Sequence, residues 1–89
     1  MPDSRDSLIE YPCDFPIKIA GAAIPEFEQR VLEIVQRHAP EVGAKDLGRR
    51  LSRTGRYLSL TVTVRAYSRE QLDALYQDLT ACELTQWVL

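Results

Sequence analysis

The stretch YLSLTVTVRAY, Tyr57 to Tyr67, alternates without a break, with Leu58, Leu60, Val62, Val64 and Ala66 set against Tyr57, Ser59, Thr61, Thr63, Arg65 and Tyr67. A period of two marks a half-buried strand, because successive side chains leave a strand on opposite faces. Burying a Leu or Val side chain stabilises by about 1.5–3 kcal/mol, whereas burying an unpaired hydroxyl costs roughly 1–3 kcal/mol, so a slip of one residue loses on both counts. The side chains therefore specify the register. One face is dry and faces a core; the other is hydroxylated and free to meet something else.

Upstream, Leu47 to Thr54 alternates again, with Leu47, Arg49 and Leu51 against Gly48, Arg50 and Ser52. Gly55 is a hairpin signal: a type II′ turn takes glycine at its first central position, which predicts Gly55-Arg56 as the turn and Thr54 opposite Tyr57, while a turn at Thr54-Gly55 keeps the same face parity. Leu47 and Leu51 then share the face of Leu58 and Leu60. Further upstream, Phe15, Ile17, Ile19 and Gly21 alternate with Pro16, Lys18 and Ala20, a first strand whose early proline removes no ladder bond.

Two amphipathic helices punctuate the strands. Pro25 is preorganised for a first helical turn, and Glu26 and Glu28 oppose the positive end of the macrodipole. Phe27, Val31, Ile34, Val35 and His38 make one stripe, and Pro40 blocks continuation, so the helix runs from about Pro25 to Ala39. Ser68 is a cap for the second helix, with Gln71 in capping-box position and Leu72, Leu75, Tyr76 and Leu79 as its stripe. A last strand, Leu84 to Leu89, puts Leu84 and Val88 on one side and Trp87 and Leu89 on the other.

The order β, α, β, β, α, β predicts an α+β fold of the ferredoxin-like, split βαβ kind. Two helices cover one face of a four-stranded antiparallel sheet in the order 4-1-3-2. The Arg-bearing second strand is then an edge protected by charge. Residues 1–14 read as a partly flexible arm that tightens toward Leu8, Ile9 and Tyr11, and residues 15–89 as a single domain.

The chain has 89 residues, 45% of them hydrophobic and 27% charged, a balance that belongs to globular rather than disordered chains. Its formal charge of -2 argues against a nucleic-acid binder, which usually carries a basic excess. The N-terminal residues MPDSRDSLIEYPCD contain acids and no long apolar run, so neither a signal peptide nor a membrane anchor is expected and the cytoplasm is the default location. Cys13 and Cys82 stand at the starting ends of the first and last strands. If those strands are antiparallel neighbours, about 20 Å separates the two residues, far beyond disulfide reach, and two free thiols are expected.

From Leu8 onward the sequence resembles the YbeD-like family of small bacterial proteins of no known function. The resemblance is carried by LIEYPCDFPIKIAG (8–21), EIVQRHAP (33–40), SRTGRYLSLTVTV (52–64), QLDALYQDL (71–79) and the ending WVL. It departs from the family at Thr54, where relatives often have lysine, and in the length of the link from Pro40 to Asp46. The resemblance implies a ferredoxin-like fold similar to the ACT-type regulatory domain of amino-acid biosynthetic enzymes. It also implies a gene neighbourhood, in some members, beside lipoate attachment. It supplies no catalytic residues.

No nucleophile, base and orienting acid can be assembled from the residues, and no metal-ligand spacing is present, so an enzyme, a metal site and a cofactor are not expected. His38 sits in the last turn of its helix, where an imidazolium favours the helix end. The candidate interaction face is the open side of the sheet, with Lys18, Arg50, Tyr57, Ser59, Thr61, Thr63, Arg65 and Trp87. The occupant expected there is a protein partner or a second copy of the chain. Gly21, Ala22 and Ala23 correspond to the turn where ACT-type domains hold a small effector, which makes them a candidate site for an amino acid or lipoate-pathway metabolite. Arg49, Arg50, Arg53 and Arg56 form a candidate anion patch, the basis of a weaker nucleic-acid reading. Against that reading, the middle of the exposed strand offers hydroxyls where RNA-recognition sheets place stacking rings.

Overall fold

The computed structural model describes residues 10–89. Four strands form one antiparallel sheet: β1 (Cys13–Ala22), β2 (Leu47–Leu51), β3 (Tyr57–Ala66) and β4 (Thr85–Val88). Helix α1 (Pro25–His38) joins β1 to β2, and α2 (Arg69–Ala81) joins β3 to β4. The sheet order β2-β3-β1-β4 is the predicted 4-1-3-2 read from the other edge. The expected ferredoxin-like βαββαβ sandwich is the fold.

The stretch Tyr57–Tyr67 carries the core as its alternation requires. Leu60, Val62, Val64 and Ala66 are wholly buried, while Thr61, Thr63 and Arg65 are exposed. β3 lies between β1 and β2, with Ile17 opposite Val62 and Ile19 opposite Leu60, so the apolar rows of neighbouring strands stack on the same side. Phe27, Val31, Ile34 and Val35 of α1 and Leu72, Leu75 and Leu79 of α2 close over that row. Among the described residues no polar or charged residue is buried as a whole.

Three local features differ from the sequence reading. β1 begins at Cys13, two residues before Phe15, because Cys13 and Asp14 pair with Ala66 and Arg65. Tyr11 is half-buried against the core, and Met1–Ile9, with Leu8 and Ile9 of the expected arm, lie outside the described residues. β2 stops at Leu51, short of Thr54, and the hairpin closes with Ser52 opposite Tyr57, the register of a turn at Thr54-Gly55 and not that of Thr54 opposite Tyr57. The Ser52 backbone N–H donates to the Tyr57 carbonyl at 2.8 Å, and the Ser52 hydroxyl accepts from the Tyr57 N–H at 3.1 Å. These two bonds hold a loop of Arg53 to Arg56, wider than a two-residue II′ turn. Gly55 lies in it at φ 76, a left-handed conformation that favours glycine. Both registers give Leu47 and Leu51 the parity of the core side, where Leu47 is buried; Leu51, at the end of the strand, is 59% exposed.

The third difference is in β4, where a bulge between Ala20 and Gly21 shifts the register and sets Thr85 opposite Gly21. Val88 opposes Ile19, Trp87 opposes Ala20, and Leu89 exchanges backbone hydrogen bonds with Lys18 at 2.8 and 3.2 Å. The Thr85 hydroxyl is buried at the bulge without a hydrogen-bond partner.

The helices are tied at their ends. The Ser68 hydroxyl accepts from the Gln71 N–H at 3.1 Å, while Gln71 Oε1 accepts from Tyr67 N–H at 2.6 Å, one residue before the usual reciprocal bond of a capping box. Gln71 Nε2 donates onward to the carbonyls of His38 and Arg65, so a cap also joins α1 and β3. His38 Nε2 lies 2.7 Å from Asp78 Oδ2, linking α1 to α2. The Tyr76 hydroxyl donates to the Leu89 carbonyl at 3.2 Å, and burial raises the phenol above its ordinary value of 10.0. Cys13 is half-buried, Cys82 is buried, and both are free thiols.

Candidate functional site

The side of the sheet turned away from the helices is built by strand parity. Residues that oppose one another in register leave the sheet on the same side, so Lys18 and Thr61, and Arg50 and Ser59, come together as cross-strand pairs. Trp87 reaches the same side from β4 as the neighbour of Ala20, which also pairs with Ser59. Between Trp87 on one edge and the β2–β3 hairpin on the other lies a trough of about 770 Å³, lined by Lys18, Arg50, Arg53, Ser59, Thr61 and Trp87, with Leu51 and Ser52 at its hairpin end.

Trp87 is 44% exposed at the trough wall and Leu89, two residues on, is 71% exposed, so apolar surface stands beside the cations. Ala20 is only 4% exposed although it faces this side, because its strand neighbours Ser59 and Trp87 crowd over it. Lys18, Arg50 and Arg53 make no ion pair among the described residues, whereas Arg65 is held by Asp14 at 3.1 Å. Tyr57, Thr63 and Arg65 lie on the same side but outside the trough.

The four arginines do not form one patch. Arg49 opposes Leu60, which turns it toward the helix layer, and its Nε lies 3.2 Å from Glu28 Oε1 of α1. Arg50 opposes Ser59 on the open side. Arg53 joins Arg50 because the chain curls out of the sheet after Leu51; a strand running on to Thr54 would have placed it elsewhere. Arg56 is exposed in the hairpin loop, and its carbonyl accepts from the Ala23 N–H at 3.2 Å. Ser52 and Leu51 enter the trough through the same curl, and strand periodicity carried no signal of it.

The Gly21 turn is packed from inside. A Cβ on Gly21 would stand 2.5 Å from Phe27 Cε1 and 2.3 Å from the Leu84 carbonyl oxygen, so the space beside this glycine is taken by the protein itself. Ala22 ends β1 opposite Tyr57. Ala23 lies on a second cleft, of about 290 Å³, with Ile24, Glu28, Gln29, Arg49 and Leu58. Among the described residues no group of three or more His, Cys, Asp or Glu is placed to hold a metal ion. No helix there is long and apolar enough to cross a membrane.

Residues 6–89 match a family described as "Protein of unknown function (DUF493)". A UPF0250 protein of Neisseria gonorrhoeae is 48% identical over 87 residues, covering 98% of this chain and 96% of that one. A UPF0250 protein of Nitrosomonas europaea is 57% identical over 76 residues, covering 85% of this chain and 87% of that one. The solution structure of protein HP0495 from H. pylori superposes with a TM-score of 0.70 at 19% identity, covering all of this chain (100%) and 94% of that one, a likeness of fold. The chain belongs to the DUF493 family, whose members carry no assigned function in these descriptions.

Proposed function

We propose that this member of the DUF493 family works as a non-enzymatic regulatory or interaction module that holds a protein through the open face of its sheet. The observation that carries the reading is the trough itself. A side of the sheet that neither helix covers joins cations with no ion pair among the described residues, hydroxyls and a half-exposed tryptophan in one concavity. Exposed tryptophan beside arginine is the composition of binding hot spots, since a large rigid ring and a planar cation gain much on desolvation. Light scattering over a range of concentrations, with retention of proteins from lysate on the immobilised chain, tests it. A bound protein or a second copy is expected, lost in Thr61→Arg and Trp87→Ala and kept in Glu33→Arg on α1. A monomer that retains nothing, or retention indifferent to the face variants, overturns it.

A second reading, a small-ligand sensor, is favoured by the cleft beside Ala23, where the Glu28–Arg49 pair stands over an apolar floor that includes Leu58. Thermal unfolding in the presence of amino acids and lipoate-pathway metabolites tests it, since a ligand at about 100 times its Kd adds about 2.7 kcal/mol of stability. No shift with any of them counts against this reading and leaves the first untouched.

A further inference from the structure

The charges of this chain are sorted by layer. The strands and the β2–β3 hairpin carry Lys18, Arg49, Arg50, Arg53, Arg56 and Arg65 against the single acid Asp14. The two helices reverse the balance, with Glu26, Glu28, Glu33, Glu70, Asp73 and Asp78 against Arg30, Arg37 and Arg69. A chain with a formal charge of -2 therefore presents a cationic open face. Asp14 is already engaged by Arg65 and Arg49 by Glu28, so the trough cations that have no ion pair among the described residues are Lys18, Arg50 and Arg53.

We propose that the trough takes an acidic segment of a partner polypeptide, its carboxylates meeting Lys18, Arg50 and Arg53 and an apolar side chain beside them packing on Trp87. The proposal rests on the reading of this face as a protein-binding surface and names the chemistry of what it binds. Three observations favour a polypeptide over other polyanions. The floor between the cations is Ser59 and Thr61, whose hydroxyls both donate and accept, as peptide groups do, whereas a phosphodiester backbone only accepts. One ring, Trp87, stands at the wall and none on the floor, which gives an apolar side chain a place to pack and successive bases no row on which to stack. The trough spans the sheet from β4 to β2, three strand spacings of about 4.8 Å, a width of roughly 14 Å that admits one polypeptide segment, since a helix with its side chains is about 10–12 Å across.

Trp87 is the one tryptophan of the chain, so its emission reports directly on the trough. The test titrates the full chain with a synthetic peptide alternating glutamate and leucine, with the same peptide carrying lysine for glutamate, with a single-stranded DNA oligomer of matched charge, and with inorganic phosphate. The glutamate peptide is expected to change the emission saturably, to bind more weakly as salt rises, and to bind best of the four. Lys18→Glu with Arg50→Glu is expected to weaken it about tenfold or more, while Arg30→Glu with Arg37→Glu on α1 leaves it within about twofold. Should the reversed pair fail to fold, Lys18→Gln with Arg50→Gln replaces it, with a loss in the same direction. Unchanged emission, equal binding of the lysine peptide, or tighter binding of DNA or phosphate overturns the proposal. So does a second copy seated on the face, seen as self-association abolished by the same variants. A protein held through the face but not displaced by the glutamate peptide overturns the acidic chemistry and leaves the binding reading standing; absence of any face-dependent partner removes both.

Discussion

The ring of Phe27 occupies the place where a side chain on Gly21 would be, with Phe27 Cε1 2.5 Å from the position of a Cβ. The same Cβ would stand 2.3 Å from the Leu84 carbonyl oxygen, so strand β1, helix α1 and the start of β4 meet over one missing methyl group. Phe27 is wholly buried, and the glycine lets the first turn of α1 seat against the sheet. Gly21→Ala is expected to cost about 3 kcal/mol, the upper end of overpacking, because one of the atoms in the way is backbone and cannot rotate aside. Thermal unfolding reads this as a fall of at least about 10 °C for a domain of this size. Adding Phe27→Leu should recover only part of it, since the carbonyl stays where it is.

The two faces of β3 make opposite predictions for neighbouring residues. Val62 is wholly buried and Thr61 exposed. Val62→Thr changes little in shape but buries a hydroxyl with no partner, at about 1–3 kcal/mol. Thr61→Val should fall within about 0.5 kcal/mol of the parent, as exposed substitutions usually do. Denaturant unfolding of both variants checks the pair, and equal losses would contradict the assignment of faces.

Thr85 offers a gain. Its hydroxyl is buried at the β1–β4 bulge and unpaired, so the folded state carries a desolvation cost that the unfolded chain does not. Thr85→Val removes the cost at nearly constant shape and is expected to raise the unfolding free energy by about 1 kcal/mol, measured by the denaturant midpoint at unchanged slope.

Tyr76 sets an alkaline limit. Its phenol is raised above 10.0 by burial, so the folded protein holds that proton more tightly than the unfolded chain does. The stability from this group is fully present below the unfolded value of 10.0 and is lost as pH rises through the folded one. Tyr76→Phe should cost about 1 kcal/mol at neutral pH, the worth of the hydrogen bond to Leu89. The parent and variant unfolding curves should then converge as pH climbs above 10.0, where only the parent has a phenol at position 76 to ionise.

The alternation of β3, the stripes of α1 and α2 and the proline and serine at their starts are local signals, and they suffice for the elements, their order and the sides of the sheet. Burial follows from period, and a strand or helix carries its period in its own residues. The open face was legible to the same extent: Lys18, Arg50, Ser59 and Thr61 line one trough because parity puts them on one side, and Trp87 joins them because the pairing of β4 with β1 sets it opposite Ala20. What the tertiary structure decided is where the chain departs from period. The Ser52–Tyr57 bonds end β2 early and bring Arg53 beside Arg50, while the bulge at Gly21 sets Thr85 in place. Glu28 of α1 meets Arg49, Arg56 stays in the hairpin loop outside the trough, and Phe27 fills the turn at Gly21 from inside. Each of these depends on atoms far apart in the chain meeting at a few ångströms, a relation that no local pattern of residues contains.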